Sequence, residues 1–168
     1  MIARKVMLLG EIGVGKSSLA KRLVLDRFEI DYKPTVGVDV YVYDVPDEPG
    51  SPGMRLIVWD TDGNFGDAIF RHVYMKEAQA AMIVGDITRP ATLDAMASLG
   101  EGFRDAFPGR HYTYLLNKHD LVGEGAGVEL PPALSRAAST LVRTSALTGD
   151  NVRSAFRATA QILHRRAT

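Results

Sequence analysis

The densest chemistry in the chain sits near its start, in Gly10-Glu11-Ile12-Gly13-Val14-Gly15-Lys16-Ser17. The pattern G-x-x-x-x-G-K-S suits a polyphosphate. Glycine lets a backbone approach a ligand closely, so the N–H groups from Gly13, Val14 and Gly15 through Lys16, Ser17 and Ser18 form a cradle of donors for phosphate oxygens. Lys16 can reach the β and γ phosphates, and Ser17 can offer its hydroxyl to magnesium. An ordinary strand-to-helix turn with a capping lysine is the plainer alternative, but it does not require the whole pattern.

A second group, Asn117-Lys118-His119-Asp120, has the chemistry to choose the base. Asp120 can accept from the N1–H and exocyclic amine of guanine, a donor pair that adenine lacks. Asn117 can bond the opposite side of the base, and Lys118 can lie along the ring plane with its aliphatic stem. Read alone, the four residues also fit a plain turn; beside a phosphate loop they favour guanine. Two further residues suit magnesium. Asp60, in Trp59-Asp60-Thr61, is a carboxylate able to orient the ion opposite Ser17, and Thr35, in Tyr32-Lys33-Pro34-Thr35-Val36-Gly37, can complete its shell when a γ-phosphate is present.

These groups must be positioned by the elements between them. Arg4–Leu9 reads as a strand running into the glycine loop, and Ser18–Phe28 as a helix with Leu19, Leu23, Val24 and Phe28 at helical spacing. Val38–Val45 and Met54–Asp60 read as strands joined by the turn-rich Pro46–Gly53, an antiparallel hairpin whose first strand carries Val38, Val40, Val42 and Val45. Beyond it, Asp67–Lys76 is a short helix candidate, Ala80–Asp86 a buried strand and Ala91–Phe107 a helix stopped by Pro108-Gly109. Tyr112–Asn117 is a strand, Lys118–Gly127 a loop, Pro131–Ser139 a short helix, Leu141–Thr144 a brief strand and Asp150–Arg166 a terminal amphipathic helix. Strands alternating with helices predict an open, largely parallel α/β sheet, whose ligands lie at the carboxyl ends of its strands.

Composition narrows the function classes. The 168 residues fit one domain, 46% hydrophobic and 24% charged, enough apolar material for a sizeable core. Residues 1–84 carry ten basic and twelve acidic side chains and residues 85–168 ten and eight, so neither half resembles a nucleic-acid or membrane-surface domain. The longest apolar runs, Val6–Leu9 and Ala80–Val84, fall far below the roughly 20 residues needed to cross a bilayer. With no cysteine, thiolate catalysis, cysteine-bound metals and direct prenylation are excluded for this sequence. His72, His111, His119 and His164 lack metal-ligand spacing, which leaves phosphate-borne magnesium as the expected metal.

Together these motifs resemble the Ras superfamily of small GTPases, with the nearest likeness to its Rab-like branch. Thr35-Val36-Gly37-Val38-Asp39 resembles first-switch sequence, Trp59-Asp60-Thr61 the start of the second, and Thr144-Ser145-Ala146-Leu147-Thr148-Gly149-Asp150-Asn151 the segment that backs the base. The resemblance implies a P-loop NTPase fold with a six-stranded, mostly parallel sheet, and a switch between GDP-bound and GTP-bound surfaces read by effectors, exchange factors and activating proteins. It also implies that Ala146 serves the base through its backbone amide, flanked by Ser145 and Leu147, that Phe28 and Lys118 sandwich the base, and that Gly63 meets the γ-phosphate. The implied hydrolysis places Lys16, Thr35, Gly63 and a water-orienting second-switch residue around the γ-phosphate.

Two departures fall at that reaction. The family pattern Ala-Gly-Gln-Glu is replaced by Asp62-Gly63-Asn64-Phe65, so the amide of Asn64 stands one methylene short of glutamine. Ile12 puts β-branched bulk where the family commonly has a small residue. Slow hydrolysis and weak sensitivity to a partner's arginine are therefore expected. The rival readings are a GTP-binding scaffold or interaction module that has lost turnover, and an ATP-dependent kinase or transport ATPase, which leaves Asn117–Asp120 unexplained. With neither a prenylation cysteine nor a strongly basic tail, cytoplasmic operation with recruitment by another protein is expected, as a monomer or a nucleotide-dependent dimer.

Overall fold

Val6 and Leu8 point to one face of the first strand and Met7 and Leu9 to the other; all four are buried, so this strand must be covered on both sides. A computed structural model describes residues 1–28, 38–61, 76–123, 127–137 and 140–167, and it shows how that covering is achieved. The strands are β1 (Ile2–Leu9), β2 (Val38–Val45), β3 (Met54–Thr61), β4 (Ala80–Asp86), β5 (His111–Asn117) and β6 (Leu141–Arg143). The helices are α1 (Lys16–Leu25), α2 (Pro90–Ala106), α3 (Pro132–Arg136) and α4 (Val152–Ala167), with a 3-10 turn at His119–Leu121.

One sheet of six strands has the order β2-β3-β1-β4-β5-β6. Only the β2–β3 pair is antiparallel, with Val38 opposite Thr61 and Val45 opposite Met54; every other neighbour is parallel. β4 is buried along its whole length, as an interior parallel strand with helices on both faces must be. α1 and α4 cover the face carrying Val6, Leu8, Val58 and Leu115, through Leu19, Leu23, Phe156 and Leu163. α2 and α3 cover the other through Leu93, Met96, Phe103 and Leu134, packed on Met7, Leu9, Ile83 and Leu116. In α4 the buried Val152, Ala155, Phe156, Thr159, Ala160 and Leu163 recur every three or four residues, a single stripe aimed at the sheet.

The six-stranded, mostly parallel sheet expected from the sequence holds, with small differences at element ends. α1 starts at Lys16, two residues before the expected start, and ends at Leu25 because Asp26 takes a left-handed conformation (φ 56) and closes on the Arg22 carbonyl. The expected Lys118–Gly127 loop contains the 3-10 turn, whose N-cap Lys118 is also left-handed (φ 64). Of the β2 valines only Val45 is buried in the core. Val40 and Val42 are about half exposed, while Tyr41 and Tyr43 pack against the core, since the larger aromatic surface gains more from burial. The expected helix over Asp67–Lys76 lies outside the described residues except for Lys76.

Candidate functional site

The chain leaves β1 and later returns to pair on both sides of it, with β3 on one flank and β4 on the other. A crevice opens at the carboxyl ends of the strands where such a reversal occurs. Residues 10–17 follow β1, Asp60 ends β3, Asp86 ends β4, Asn117 ends β5 and residues 144–147 follow β6. Five segments distant in sequence therefore share one edge of the sheet.

Residues 10–17 fit a phosphate cradle. Gly15 is the N-cap of α1 with φ 102 and makes no side-chain cap bond, which sets the positive end of the helix dipole toward the crevice. A Cβ on Gly15 would collide with the Asn117 amide, and one on Gly10 with the Val84 carbonyl; both positions demand glycine for space as well as for conformation. Lys16 is buried and donates from Nζ to the carbonyls of Gly10 at 2.8 Å and Glu11 at 3.0 Å, which holds the ammonium over the loop's own curve. Val14 is buried beneath the loop.

The Ser17 hydroxyl donates to the carboxylate of Asp60, which is fully buried. A hydroxyl and a carboxylate in contact at the mouth of a phosphate cradle are the hard oxygen donors magnesium takes when phosphates supply the rest of its shell. Thr35, Gly63 and Asn64 lie outside the described residues, as do Asp62 and Phe65.

Asn117 bolts the phosphate loop to the loops that would hold a base. Its Nδ2 donates to the Val14 carbonyl at 2.9 Å, while its Oδ1 accepts from the Thr144 hydroxyl at 3.2 Å and from the Ala146 amide at 3.3 Å. Asp120 is oriented by the fully buried Ser145, whose hydroxyl donates to Asp120 Oδ1 at 2.7 Å and accepts from the Thr148 amide. That leaves the other carboxylate oxygen for a ligand. Ala146 is buried, Leu147 is half exposed, and Phe28, the last described residue after α1, is 38% exposed, as an aromatic wall for a ligand must be.

Lys118 spans the crevice. Its Nζ donates to the Gly13 carbonyl at 2.8 Å and pairs with Asp86 at 2.9 Å, so its stem runs between the phosphate loop and β4. Burial alone would raise the Asp86 carboxyl, but hydrogen bonds from Thr88 and Lys118 outweigh it and hold the group below its ordinary value. A carboxyl depressed in this way contributes stability above its unfolded value of about 4, and that contribution is lost as pH falls through the lower folded value. Asp86→Asn is expected to cost about 1–2 kcal/mol at neutral pH, discounted because Lys118 is one-third exposed. Denaturant melts of both proteins should show this gap closing below about pH 4; a gap independent of pH would contradict the assignment.

Two contacts escape any reading of local sequence. Arg22, on α1, donates from Nε to the Ala146 carbonyl at 2.8 Å, from Nη2 to the Leu147 carbonyl and from Nη1 to the Asp26 carbonyl at 3.1 Å. Its side chain is only 14% exposed. The fork of one guanidinium thus fixes the segment carrying the Ala146 amide to the helix that begins at the phosphate loop. Arg22→Ala is expected to speed GDP dissociation about tenfold and to cost about 1.5–2 kcal/mol of stability, with little rescue by Arg22→Lys. Stopped-flow release of a fluorescent GDP checks this, and an unchanged rate would remove Arg22 from the account. The second contact is Arg89, the N-cap residue of α2, which donates from Nη1 to the Ile12 carbonyl at 3.0 Å. Ile12 itself turns its side chain outward, 44% exposed.

Comparison with known proteins agrees with the geometry. The family model described as Ras family matches residues 5–165. The chain is 34% identical over 166 residues to the GTP-binding protein ypt5 of Schizosaccharomyces pombe, covering 96% of this chain and 78% of that one. It is 34% identical over 158 residues to the Ras-related protein RABA6b of Arabidopsis thaliana, 90% of this chain and 67% of the relative. With the Ras-related protein Rab-32A of Dictyostelium discoideum the identity is 40% over 93 residues, 55% of this chain and 42% of that one.

Proposed function

The chain belongs to the Ras family of small GTPases, in its Rab-like group, and on that premise we propose that it is a guanine-nucleotide switch that hydrolyses GTP slowly to GDP and phosphate. The observation that carries this reading is the Asn117 bolt, which joins the phosphate cradle at Val14 to the base-recognition loop at Ala146. One ligand with a polyphosphate at one end and a guanine at the other satisfies both halves.

In this reading the N–H groups of residues 13–18 bind the phosphates, and Lys16 exchanges part of its hold on the loop carbonyls for the β and γ oxygens. Asp120 accepts from guanine N1–H and the exocyclic amine, the Ala146 amide donates to the base carbonyl, and Asn117 offers its second amide hydrogen to the ring. Phe28 and the Lys118 stem face the two sides of the base. Ser17, Asp60 and Thr35 would hold magnesium, which when bound would supply positive charge at the phosphate oxygens. Water attacks the γ-phosphorus in line; a P–O bond to water forms as the bond to the GDP oxygen breaks. Lys16 and the loop amides offset the charge that gathers on the leaving oxygen, and Asn64 orients the water less well than a longer amide would.

The residues after β3 and before β2 sense the γ-phosphate and present the surfaces that effectors, exchange factors and activating proteins read. The test is to identify the nucleotide carried through purification and to follow phosphate release after loading with GTP. Guanine nucleotide with slow, magnesium-dependent release is the expected result. Retained GTP with no release would make the chain a static binding module, and a bound adenine nucleotide would refute the reading outright.

A further inference from the structure

The opposite edge of the sheet carries a second cluster of charged side chains. At the amino ends of the strands, roughly 25 Å from the phosphate loop, lies a cavity of about 640 Å³. Arg4 of β1, Lys76, Arg110 before β5 and Arg166 in the last turn of α4 line it, with Glu77 as the one carboxylate among its described lining residues. Four cations converge there in a protein whose net charge is zero.

Salt bridges do not explain the cluster. None of the ion pairs among the described residues involves Arg4, Lys76, Arg110 or Arg166. Glu77 acts electrostatically on Lys5, which stacks over Trp59 at 3.8 Å. Backbone carbonyls explain part of it. Arg110 donates from Nη1 to the carbonyls of Lys76 at 3.1 Å and Ala78 at 2.6 Å, and Arg166 from Nη1 to Gly109 at 2.6 Å, beyond the end of α2. Among the described residues each uses only Nη1 as a donor, which leaves Nε and Nη2 for a ligand. The braces also fix the guanidinium groups in place, and Arg110 is further held over the Phe107 ring at 4.7 Å. A fixed donor set loses little entropy when it binds an anion. Nearby, His111 is kept toward its neutral form by burial and by the charge of Arg166, so it accepts a hydrogen bond from, or donates one to, Thr113 without adding a fifth full charge.

We propose that this cavity is a binding site for a phosphate-bearing polyanion, separate from the nucleotide site and independent of what binds there. Arginine forks and a lysine point charge are the recognition chemistry of clustered phosphates, and the volume suits a ligand of inositol-phosphate size. The same chemistry is presented by a free inositol polyphosphate and by a phosphoinositide headgroup at a bilayer.

The experiment uses the full chain loaded with GDP and magnesium, so that the phosphate loop is occupied. Inositol hexakisphosphate is titrated calorimetrically, and vesicles of phosphatidylcholine with and without phosphatidylinositol 4,5-bisphosphate are tested by sedimentation. Saturable one-to-one binding of the soluble probe is expected, weakened at least tenfold in Lys76→Glu and in Arg166→Glu, with GDP retention unchanged. Lys76→Glu removes no side-chain hydrogen bond among the described residues, so it tests the site with little loosening of the fold. Arg153→Glu changes the charge equally but lies on the first turn of α4 and should leave affinity as it is. Vesicle binding with the same variant sensitivity identifies the headgroup as the source; soluble binding without vesicle binding identifies a free polyanion. The proposal is overturned if neither probe binds saturably, or if Arg153→Glu weakens binding as much as the two cavity variants do.

Discussion

Replacing Asn117 by alanine is expected to weaken GDP binding at least a hundredfold and to destabilise the protein by about 2–4 kcal/mol. The side chain is almost fully buried and serves three partners at once. Truncation leaves the Val14 carbonyl, the Thr144 hydroxyl and the Ala146 amide without the group that joined them, and each unsatisfied buried group costs about 1–3 kcal/mol. The affinity loss follows because the phosphate cradle and the base loop would no longer share a fixed spacing. Asn117→Asp separates the two contributions: it keeps the acceptor toward Thr144 and Ala146 but sets a carboxylate against the Val14 carbonyl. Denaturant melts and fluorescent-GDP titration of the two variants should rank Asn117→Asp no better than Asn117→Ala for affinity. A variant that keeps wild-type affinity would show that the loops are held by something other than this bolt.

Hydrolysis carries the second large effect. Asn64→Gln is expected to raise single-turnover GTP hydrolysis up to about 100-fold, because an amide one methylene longer moves the bound water by roughly 1 Å toward the in-line position. Ile12→Gly is expected to act mainly on the response to an activating protein. The Ile12 side chain stands outward at the mouth of the phosphate loop while Arg89 already occupies its carbonyl, so an arginine supplied in trans meets bulk at one atom and a competing guanidinium at another. An Asn64→Gln rate no faster than wild type would remove Asn64 as the cause of slow hydrolysis, and an Ile12→Gly protein no more responsive to an activating protein than wild type would remove Ile12.

How far the sequence reveals this molecule depends on whether a signal is local. The glycine loop, the β2–β3 hairpin and the strand ending at Asn117 are all legible, because each is written in a few adjacent residues whose spacing has a physical reason. The packing of β2 is not. An alternation of valine and tyrosine fits either face outward, and only the helix packed against the sheet decides that Tyr41 and Tyr43 turn inward. Arg22 and Arg89 are likewise silent in sequence: each looks like a solvated helix charge until the fold carries it to a carbonyl 124 or 77 positions away. Asp86 reads as the polar end of a buried strand, and its pairing with Lys118 depends on β4 and β5 lying side by side. The basic cavity joins residues from both ends of the chain and from its middle, so no window of sequence contains it.

The central claim, that one site takes a guanine nucleotide through the bolted loops, is tested most directly by competition at equilibrium. Fluorescent GDP on the magnesium-loaded protein is displaced with unlabelled GTP and with ATP. A pocket that rejects adenine through the unmet hydrogen-bonding groups of Asp120 and Ala146 should prefer GTP by about 10⁴-fold or more. Displacement by ATP at concentrations within tenfold of those of GTP would contradict it.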